Sequence, residues 1–279
     1  MEKTKFSRAT IPMLIVFTVI AVITLFPFYC ITLASFKPGV ELLRYGLNTK
    51  IDLSIMSLHN YQNLFAGDND YFLWFKNSAV ITVVQTVLTL IVSALVGYGF
   101  AMYDFRFKNI LFTCVLIIMM VPMEILMLPL YKMLIGMKLM DTMWGIFLPF
   151  LAAPLPIFFF RQYLSGIPKD FMDAARVDGC TEYGIFARIM LPLMAPSFAA
   201  MGIFVAMNSW NGFLWPLIVL RSPEKLTLPI GLAALLSPYG NNYNVLIAGS
   251  VFAILPILIL FFFFQKYFIE GMTAGGIKG

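Results

Sequence analysis

Charge is scarce in this chain: Asp, Glu, Lys and Arg make up 12% of its 279 residues, against 61% hydrophobic. That leaves too little polar surface to cover a water-soluble globule, so a soluble fold is excluded. Histidine occurs once, at His59, so no histidine cluster for catalysis or metal binding can form, and His59 reads as a solvated loop residue. The three cysteines carry neither metal-ligand spacing nor a disulfide framework. Cys30 and Cys114 fall within apolar runs, and Cys180 lies in a charged loop. Ten-residue stretches alternating apolar and polar are absent, which excludes a transmembrane barrel. The net charge of +5 is spread over loops without a basic stripe interleaved with aromatics, so nucleic acid is not an expected partner. A membrane enzyme would need a nucleophile–base or metal constellation, and none is written here.

What the chain has in quantity is long apolar runs, with a mean hydropathy of +0.88. A helix needs roughly 20 apolar residues to cross the hydrocarbon. Six segments meet or approach that length, at about 10–35, 77–102, 109–131, 142–161, 193–220 and 244–265. The expectation is an all-α polytopic membrane protein of six transmembrane helices forming one domain over 1–279. The N-terminal MEKTKFSR precedes an uncharged stretch from Ala9 to Phe36. That stretch is longer than a signal-peptide core and lacks a convincing cleavage site, so it is expected to stay as the first span. With the N-terminus in the cytoplasm, inner segments hold 11 Lys and Arg and outer ones 8, which agrees with the positive-inside rule by a small margin. An even number of spans returns the C-terminus to the same side.

Between the first two spans, SLHNYQNLF reads as a short amphipathic helix. It fits equally an interfacial segment with its aromatics at headgroup depth and a docking surface for an extracellular partner. The cytoplasmic loop between spans four and five, 164–192, is the largest inner loop. It is also the most charged, with seven charged residues among the twenty from Lys169 to Arg188. Pro168 suits the first position of a helix, where its missing N–H costs nothing. Asp170 and Asp173 then stand near the positive end of that helix. Phe171, Ala174 and Ala175 recur at helical spacing and form a small apolar face. Gly179 accepts the left-handed conformation that ends helices, Thr181 can cap a second helix, and Pro192 interrupts that one at the start of span five. Helix, glycine turn and second helix would lie on the cytoplasmic face, rigidly continuous with a span.

These residues resemble the signature loop of ABC importer permeases: E-A-A, three residues, Gly, nine residues, Ile, any residue, Leu-Pro. The chain has Asp173-Ala174-Ala175, then Gly179, then Ile189, then Leu191-Pro192, departing only where Asp replaces Glu. WNGFLWPLIVL from Trp210 is similar to the fifth-span segment of the carbohydrate-type permeases, and LPLYKMLIGMKLMDTMWGIFLP to their third-to-fourth-span region. The ending EGMTAGGIKG is similar to the tail of the maltose-type shorter subunit, which pairs with a second, longer permease. The resemblance covers essentially the whole chain and implies a type I ABC importer (MetI-like) permease fold. It also implies a bacterial inner-membrane location with both termini cytoplasmic, and a role in carbohydrate import. In that family the glycine-broken loop is a coupling helix seated in a groove of a cytoplasmic ATPase. The tail reaches toward the interface of the two ATPase subunits. Carried over by position, Asp173, Ala174, Ala175, Gly179, Ile189, Leu191 and Pro192 are the coupling residues, and Gly271, Gly275 and Gly276 belong to the tail, 267–279. The implied partners are a second permease subunit, an ATPase dimer, a periplasmic or extracellular solute-binding protein and a carbohydrate substrate.

The chain itself is not expected to hydrolyse nucleotide. GMTAGGIK approximates a phosphate-binding loop, but after Gly271 and Gly276 the lysine position is Ile277, and no strand–loop–helix context surrounds it. No cofactor is expected in this chain, with ATP and magnesium held by the partner ATPase. Polar groups inside spans are the candidates for the pathway. Glu124 between Pro122 and Pro129 fits either a gate or a structural hydrogen bond to a neighbouring helix. Asn208, Ser209 and Asn211, flanking Trp210, fit either interhelical hydrogen bonding or a pathway lining. Two functions follow: an ATP-driven importer subunit working by alternating access, or an ion-coupled secondary transporter in which Glu124 carries the ion. Against the second, no matching interrupted segments point to inverted repeats.

Overall fold

The computed structural model describes residues 10–66, 69–237 and 240–274. In chain order its α-helices are α1 (Thr10–Ser35), α2 (Gly39–Tyr45), α3 (His59–Phe65), α4 (Tyr71–Met102), α5 (Lys108–Met119), α6 (Met123–Gly136), α7 (Met143–Phe147) and α8 (Pro154–Leu164). There follow α9 (Asp170–Val177), α10 (Glu182–Ile185), α11 (Leu191–Leu193), α12 (Ala195–Trp210), α13 (Leu214–Val219), α14 (Leu228–Ala234) and α15 (Tyr243–Ala274). Between α14 and α15, β1 (Leu236–Ser237) and β2 (Gly240–Asn241) pair antiparallel over two residues each.

Three helical stretches among the described residues are long and apolar enough to cross a membrane: Ile11–Ser35, Tyr71–Met102 and Tyr243–Lys266. Three bent helix pairs pass the same test together, giving six spans when each pair counts as one. The runs at 109–131, 142–161 and 193–220 are the three expected spans whose helices are interrupted in the structure. The third span turns by 105° between Lys108–Met119 and Met123–Gly136. Pro122 sits in extended geometry before α6 because proline cannot donate to the helical ladder and drives its predecessor out of it. The fourth span bends by 43° ahead of Pro154, and the fifth is helical from Ala195 only to Trp210, after which Gly212 separates it from α13.

The described residues fall into two compact units. One holds the described parts of Met1–Tyr71 and Leu232–Leu255. Its α1 is apolar on every side and exposed from Ile11 to Tyr29, with Ile11, Phe17 and Leu25 each more than half accessible, as suits a helix solvated by lipid, whereas Cys30, Leu33, Ala34 and Ser35 toward its C-terminal end are buried. The segment SLHNYQNLF forms α3, and it packs on its own chain. Asn60 is buried and donates to the carbonyls of Ser35 at 2.9 Å and Lys37 at 2.7 Å, closing the C-terminal end of α1. The Tyr71 hydroxyl donates to the Gly249 carbonyl at 2.8 Å.

The other unit holds Phe72–Gly231 and the described part of Pro256–Gly279. Lipid tails are as apolar as leucine, so helices in a membrane associate through close packing rather than through burial from water. Gly97 shows this: a Cβ there would stand 2.7 Å from the Cβ of Phe160 and 3.0 Å from the Arg161 nitrogen, so only glycine allows α4 and α8 to approach. Around that contact Ala94, Tyr98, Met102, Phe160 and Leu164 form one cluster with Met172, Ala175, Ile185, Met190, Met194 and Met201. At the other end Ile81, Leu134, Ile146, Trp215, Val219 and Leu220 form a second. Beside it, Asp141 joins the loop before α7 to the loop after α13. Its carboxylate accepts from the Arg221 and Ser222 amides at 2.9 and 3.1 Å, the Ser222 hydroxyl at 2.6 Å and Lys225 Nζ at 2.9 Å.

Candidate functional site

The charged loop folds as a helix–turn–helix whose turn is built from local chemistry. α9 begins at Asp170 rather than at Pro168, because the Lys169 carbonyl accepts the first helical bonds, from the Met172 and Asp173 amides at 2.8 and 3.1 Å. It ends at Gly179, whose φ is +79°. The Gly179 amide donates to the Arg176 carbonyl at 3.0 Å and the Cys180 amide to the Ala175 carbonyl at 2.9 Å, the paired bonds of a Schellman stop. Thr181 caps α10 by accepting from the Gly184 amide at 3.1 Å.

Arg176 ties the two helices across this turn. It donates to Asp173 Oδ1 at 2.9 Å on its own helix, and forks Glu182 through Nε to Oε1 at 2.7 Å and NH2 to Oε2 at 3.2 Å. Glu182 also accepts from the Tyr103 hydroxyl, while Lys169 Nζ reaches Asp104 at 3.4 Å, so the turn after α4 is fastened to the elbow twice. The Arg176 hydrogen bond, followed by that of Tyr103, holds the Glu182 carboxyl below its ordinary range. Burial first, and then the bond to Glu182, push the Tyr103 hydroxyl up.

The apolar face of α9 is split by its surroundings. Met172 and Ala175 turn into the chain's own core, where Met172 meets Tyr98, whereas Phe171 and Ala174 stay exposed. Ala175, only 4% exposed, supports the elbow from within and reaches the floor of the cleft beside it. Phe171, Ala174, Asp178 and Ile189 border a cleft of about 500 Å³, and Val177 and Tyr183 project beside the turn at 89% exposure each. Past α10 the chain widens into a π-helix over Phe186–Met190. Pro192 has no N–H for the Arg188 carbonyl and its ring crowds it, which opens the wide turn. The elbow then meets α12 at a bend of 76°, just past the interruption expected at Pro192. Leu191 lines a separate, apolar cavity of about 610 Å³ beside Thr82, Thr86, Phe198, Leu260 and Phe264.

A second cavity, of about 400 Å³, is bordered by α4, α12 and α13 and mixes polar with aromatic residues. Gln85, Thr89, Ser209 and Thr227 face it together with Phe204 and Phe213. The Ser209 hydroxyl donates to Gln85 Oε1 at 2.9 Å.

The family described as binding-protein-dependent transport system inner membrane component matches residues 89–274. The chain belongs to this family. It is 58% identical over 275 residues to the arabinooligosaccharides transport system permease protein AraQ of Bacillus subtilis (strain 168), covering 99% of this chain and 98% of that protein. It is 35% identical over 274 residues to the lactose transport system permease protein LacG of Rhizobium radiobacter, covering 97% and 98%. A solved bacterial ABC transporter importing the acidic polysaccharide alginate contains a chain of the same fold, with a TM-score of 0.77, 23% identity and coverage of 95% and 100%. The all-α, MetI-like permease fold is thereby shown, and membership of this transport family sets the ion-coupled reading aside.

In this permease the four candidate pathway residues do not converge. Asn208 borders the 400 Å³ cavity, but its amide donates within its own helix, to the Phe204 carbonyl at 2.8 Å. Asn211 is exposed and bonds the Met207 carbonyl at 2.9 Å, again within its helix. Trp210 is buried at 7% and stands edge-on to Phe75 at 5.3 Å, a packing position. Glu124 is exposed in the first turn of α6, with no hydrogen bond or ion pair among the described residues. Gln85 and its neighbours were missed, although a signal exists. Ser78, Thr82, Gln85, Thr89 and Ser93 recur at three- and four-residue spacing inside an otherwise apolar span. Gly271 lies in the backbone of α15, and Gly275 and Gly276 fall outside the described residues.

Proposed function

We propose that this chain is one of two membrane subunits of an ATP-driven importer of neutral oligosaccharides, with arabinose-containing oligosaccharides the leading class. The observation that carries this reading is 58% identity, along nearly the whole of both chains, to an arabinooligosaccharides permease. Its partners are a second permease subunit, an ATPase dimer that holds ATP and magnesium, and a solute-binding protein that delivers the sugar. Both termini lie in the cytoplasm of a bacterial cell, with the C-terminal tail directed to the ATPase pair.

The elbow is the mechanical part. Moving a two-state pathway from 1:99 to 99:1 takes about 5.5 kcal/mol of differential binding. Closure of an ATPase can supply that only through a stiff connection. Phe171, Ala174, Ile189 and Gly179 form the face offered to the ATPase. Met172, Ala175 and Ile185, buried behind it, pass its displacement to α4, α8 and α12.

The test is reconstitution of this chain with its partner permease, ATPase and binding protein in proteoliposomes. Uptake of labelled arabinotriose is expected to require both ATP and the binding protein, and to be competed by arabinooligosaccharides better than by lactose or maltodextrins. ATP-independent uptake abolished by a protonophore would overturn the reading.

A further inference from the structure

We propose that the 400 Å³ cavity bordered by α4, α12 and α13 is a sugar-binding site contributed by this subunit, holding a neutral carbohydrate unit on its way through the membrane. The proposal rests on the chain being an oligosaccharide permease subunit. Its own support is the set of polar groups in the cavity wall and what each is bonded to.

Gln85 lies near the middle of the 32-residue α4, at a depth where an amide facing lipid is strongly disfavoured. It faces the cavity instead, on the same helical stripe as Ser78 and Thr89. Several lining groups are already committed to the protein. The Ser78 hydroxyl accepts from the Leu228 amide at 2.8 Å, Thr89 donates to the Phe150 carbonyl at 3.2 Å, and Ser209 donates to Gln85 Oε1 at 2.9 Å. That last bond fixes the Gln85 amide plane and leaves its NH2 group without a partner among the described residues. The Asn208 NH2 is held by the Phe204 carbonyl, which leaves its Oδ1 as an acceptor. Thr227 is 4% exposed, lines the cavity, and its hydroxyl has no partner among the described residues.

A buried hydroxyl left unpaired is costly, and its persistence at a cavity wall points to a ligand that completes it. The cavity thus presents one amide donor, one amide acceptor and one hydroxyl that can do either. Sugar hydroxyls, each both donor and acceptor, match that set. Phe150, Phe204 and Phe213 add ring faces suited to the C–H face of a sugar. Among the described residues no Asp, Glu, Lys, Arg or His lines the cavity, so the chemistry selects a neutral sugar over a charged one. The volume is at the small end of ligand sites, which fits a short piece of an oligosaccharide threaded through rather than a whole chain enclosed.

The test uses the complete reconstituted transporter and labelled arabinotriose, with uptake normalised to assembled complex. Thr227→Val removes a hydroxyl that bonds none of the described residues, so a merely structural role predicts equal or higher thermal stability and unchanged uptake. A sugar contact predicts the same stability with uptake reduced roughly five- to tenfold. Gln85→Leu is expected to act in the same direction; if it fails to assemble, Thr227→Val decides alone. Unchanged uptake per complex in Thr227→Val overturns the site while leaving the importer reading intact. Wild-type transporter that takes up neither arabinotriose, maltotriose nor lactose brings down both.

Discussion

Arg176 holds Glu182 by two parallel bonds across the Gly179 turn, Nε to Oε1 at 2.7 Å and NH2 to Oε2 at 3.2 Å, so the two helices of the elbow share one fork. Both side chains are solvent-exposed, and such a pair contributes little to global stability. Its effect is local, in fixing the angle between α9 and α10. Because the folded-state pKa of Glu182 is depressed, the clasp is fully present above the ordinary carboxyl value of 4.5 and is lost as pH falls through the lower, folded one. A spin label on Cys180, with Cys30 and Cys114 replaced by serine, is expected to show constant mobility from pH 8 to 5 and a rise below pH 4.5. Arg176→Gln should show the mobile spectrum already at neutral pH. Identical spectra in both proteins would remove the fork from the elbow's mechanics.

Gly179 tests the turn itself. A Cβ added there meets nothing within 4 Å, so any cost comes from the backbone at φ +79° alone. Left-handed geometry costs an L-residue roughly 1–2 kcal/mol, less for Asn, which tolerates it, and more for a β-branched residue. Coupling of ATP hydrolysis to uptake is therefore expected to fall in the order Gly179→Asn, Gly179→Ala, Gly179→Val. Loss in proportion to side-chain volume instead would mean that the elbow is limited by space and not by torsion.

Ala174 and Ala175 are neighbours with opposite expected behaviour. Ala175 is packed against the chain's own core, so Ala175→Leu should overpack it at a cost of about 1–3 kcal/mol and lower the amount of folded protein. Ala174 is exposed on the cleft, so Ala174→Leu should leave the melting temperature unchanged while weakening co-purification with the ATPase. Thermal unfolding in detergent and pull-down of the ATPase read the two effects separately. Equal outcomes for both positions would show that α9 docks by a different face.

What could be read in the sequence and what could not divide along range of interaction. Gly179 and Thr181 were legible because a helix stop and an N-cap are decided within a few residues. The Tyr103–Glu182 bond was not, since it joins positions 79 residues apart and nothing local in YDFRFKN marks a partner. The two inner faces of α9 looked alike as apolar spacing, and only packing separated Ala175 from Ala174. Hydropathy averaged over a span hid the bend before Pro154 and the polar stripe containing Gln85. A stripe of small hydroxyls lowers the mean by little, yet by period alone it marks one side of α4. Trp210 was singled out by its polar neighbours, but its large apolar surface is used in packing against Phe75.

Asp141 is the remaining control point, holding together two loops far apart in sequence. Its backbone stands at φ +58°, a conformation that aspartate and asparagine accept more readily than most residues. Asp141→Asn thus keeps the turn and changes the charge, removing the ionic bond to Lys225 and replacing one acceptor toward Ser222 with a donor. Four donors converge on the carboxylate, the Ser222 hydroxyl first among them, and together they hold its pKa well below the ordinary range. Charge-assisted bonds of this kind, discounted because Lys225 is partly exposed, give an expected loss of about 1–2 kcal/mol. The sign of the pH dependence follows from the depressed value. The wild-type advantage over Asp141→Asn should be undiminished from neutral pH to 5, and should decline only below the ordinary 3.8, as protons reach the folded carboxyl. Thermal unfolding of both proteins in detergent across that range checks it. An advantage that vanishes already at pH 5, or a variant as stable as wild type at pH 7, would show that the carboxylate's charge does not hold these loops together.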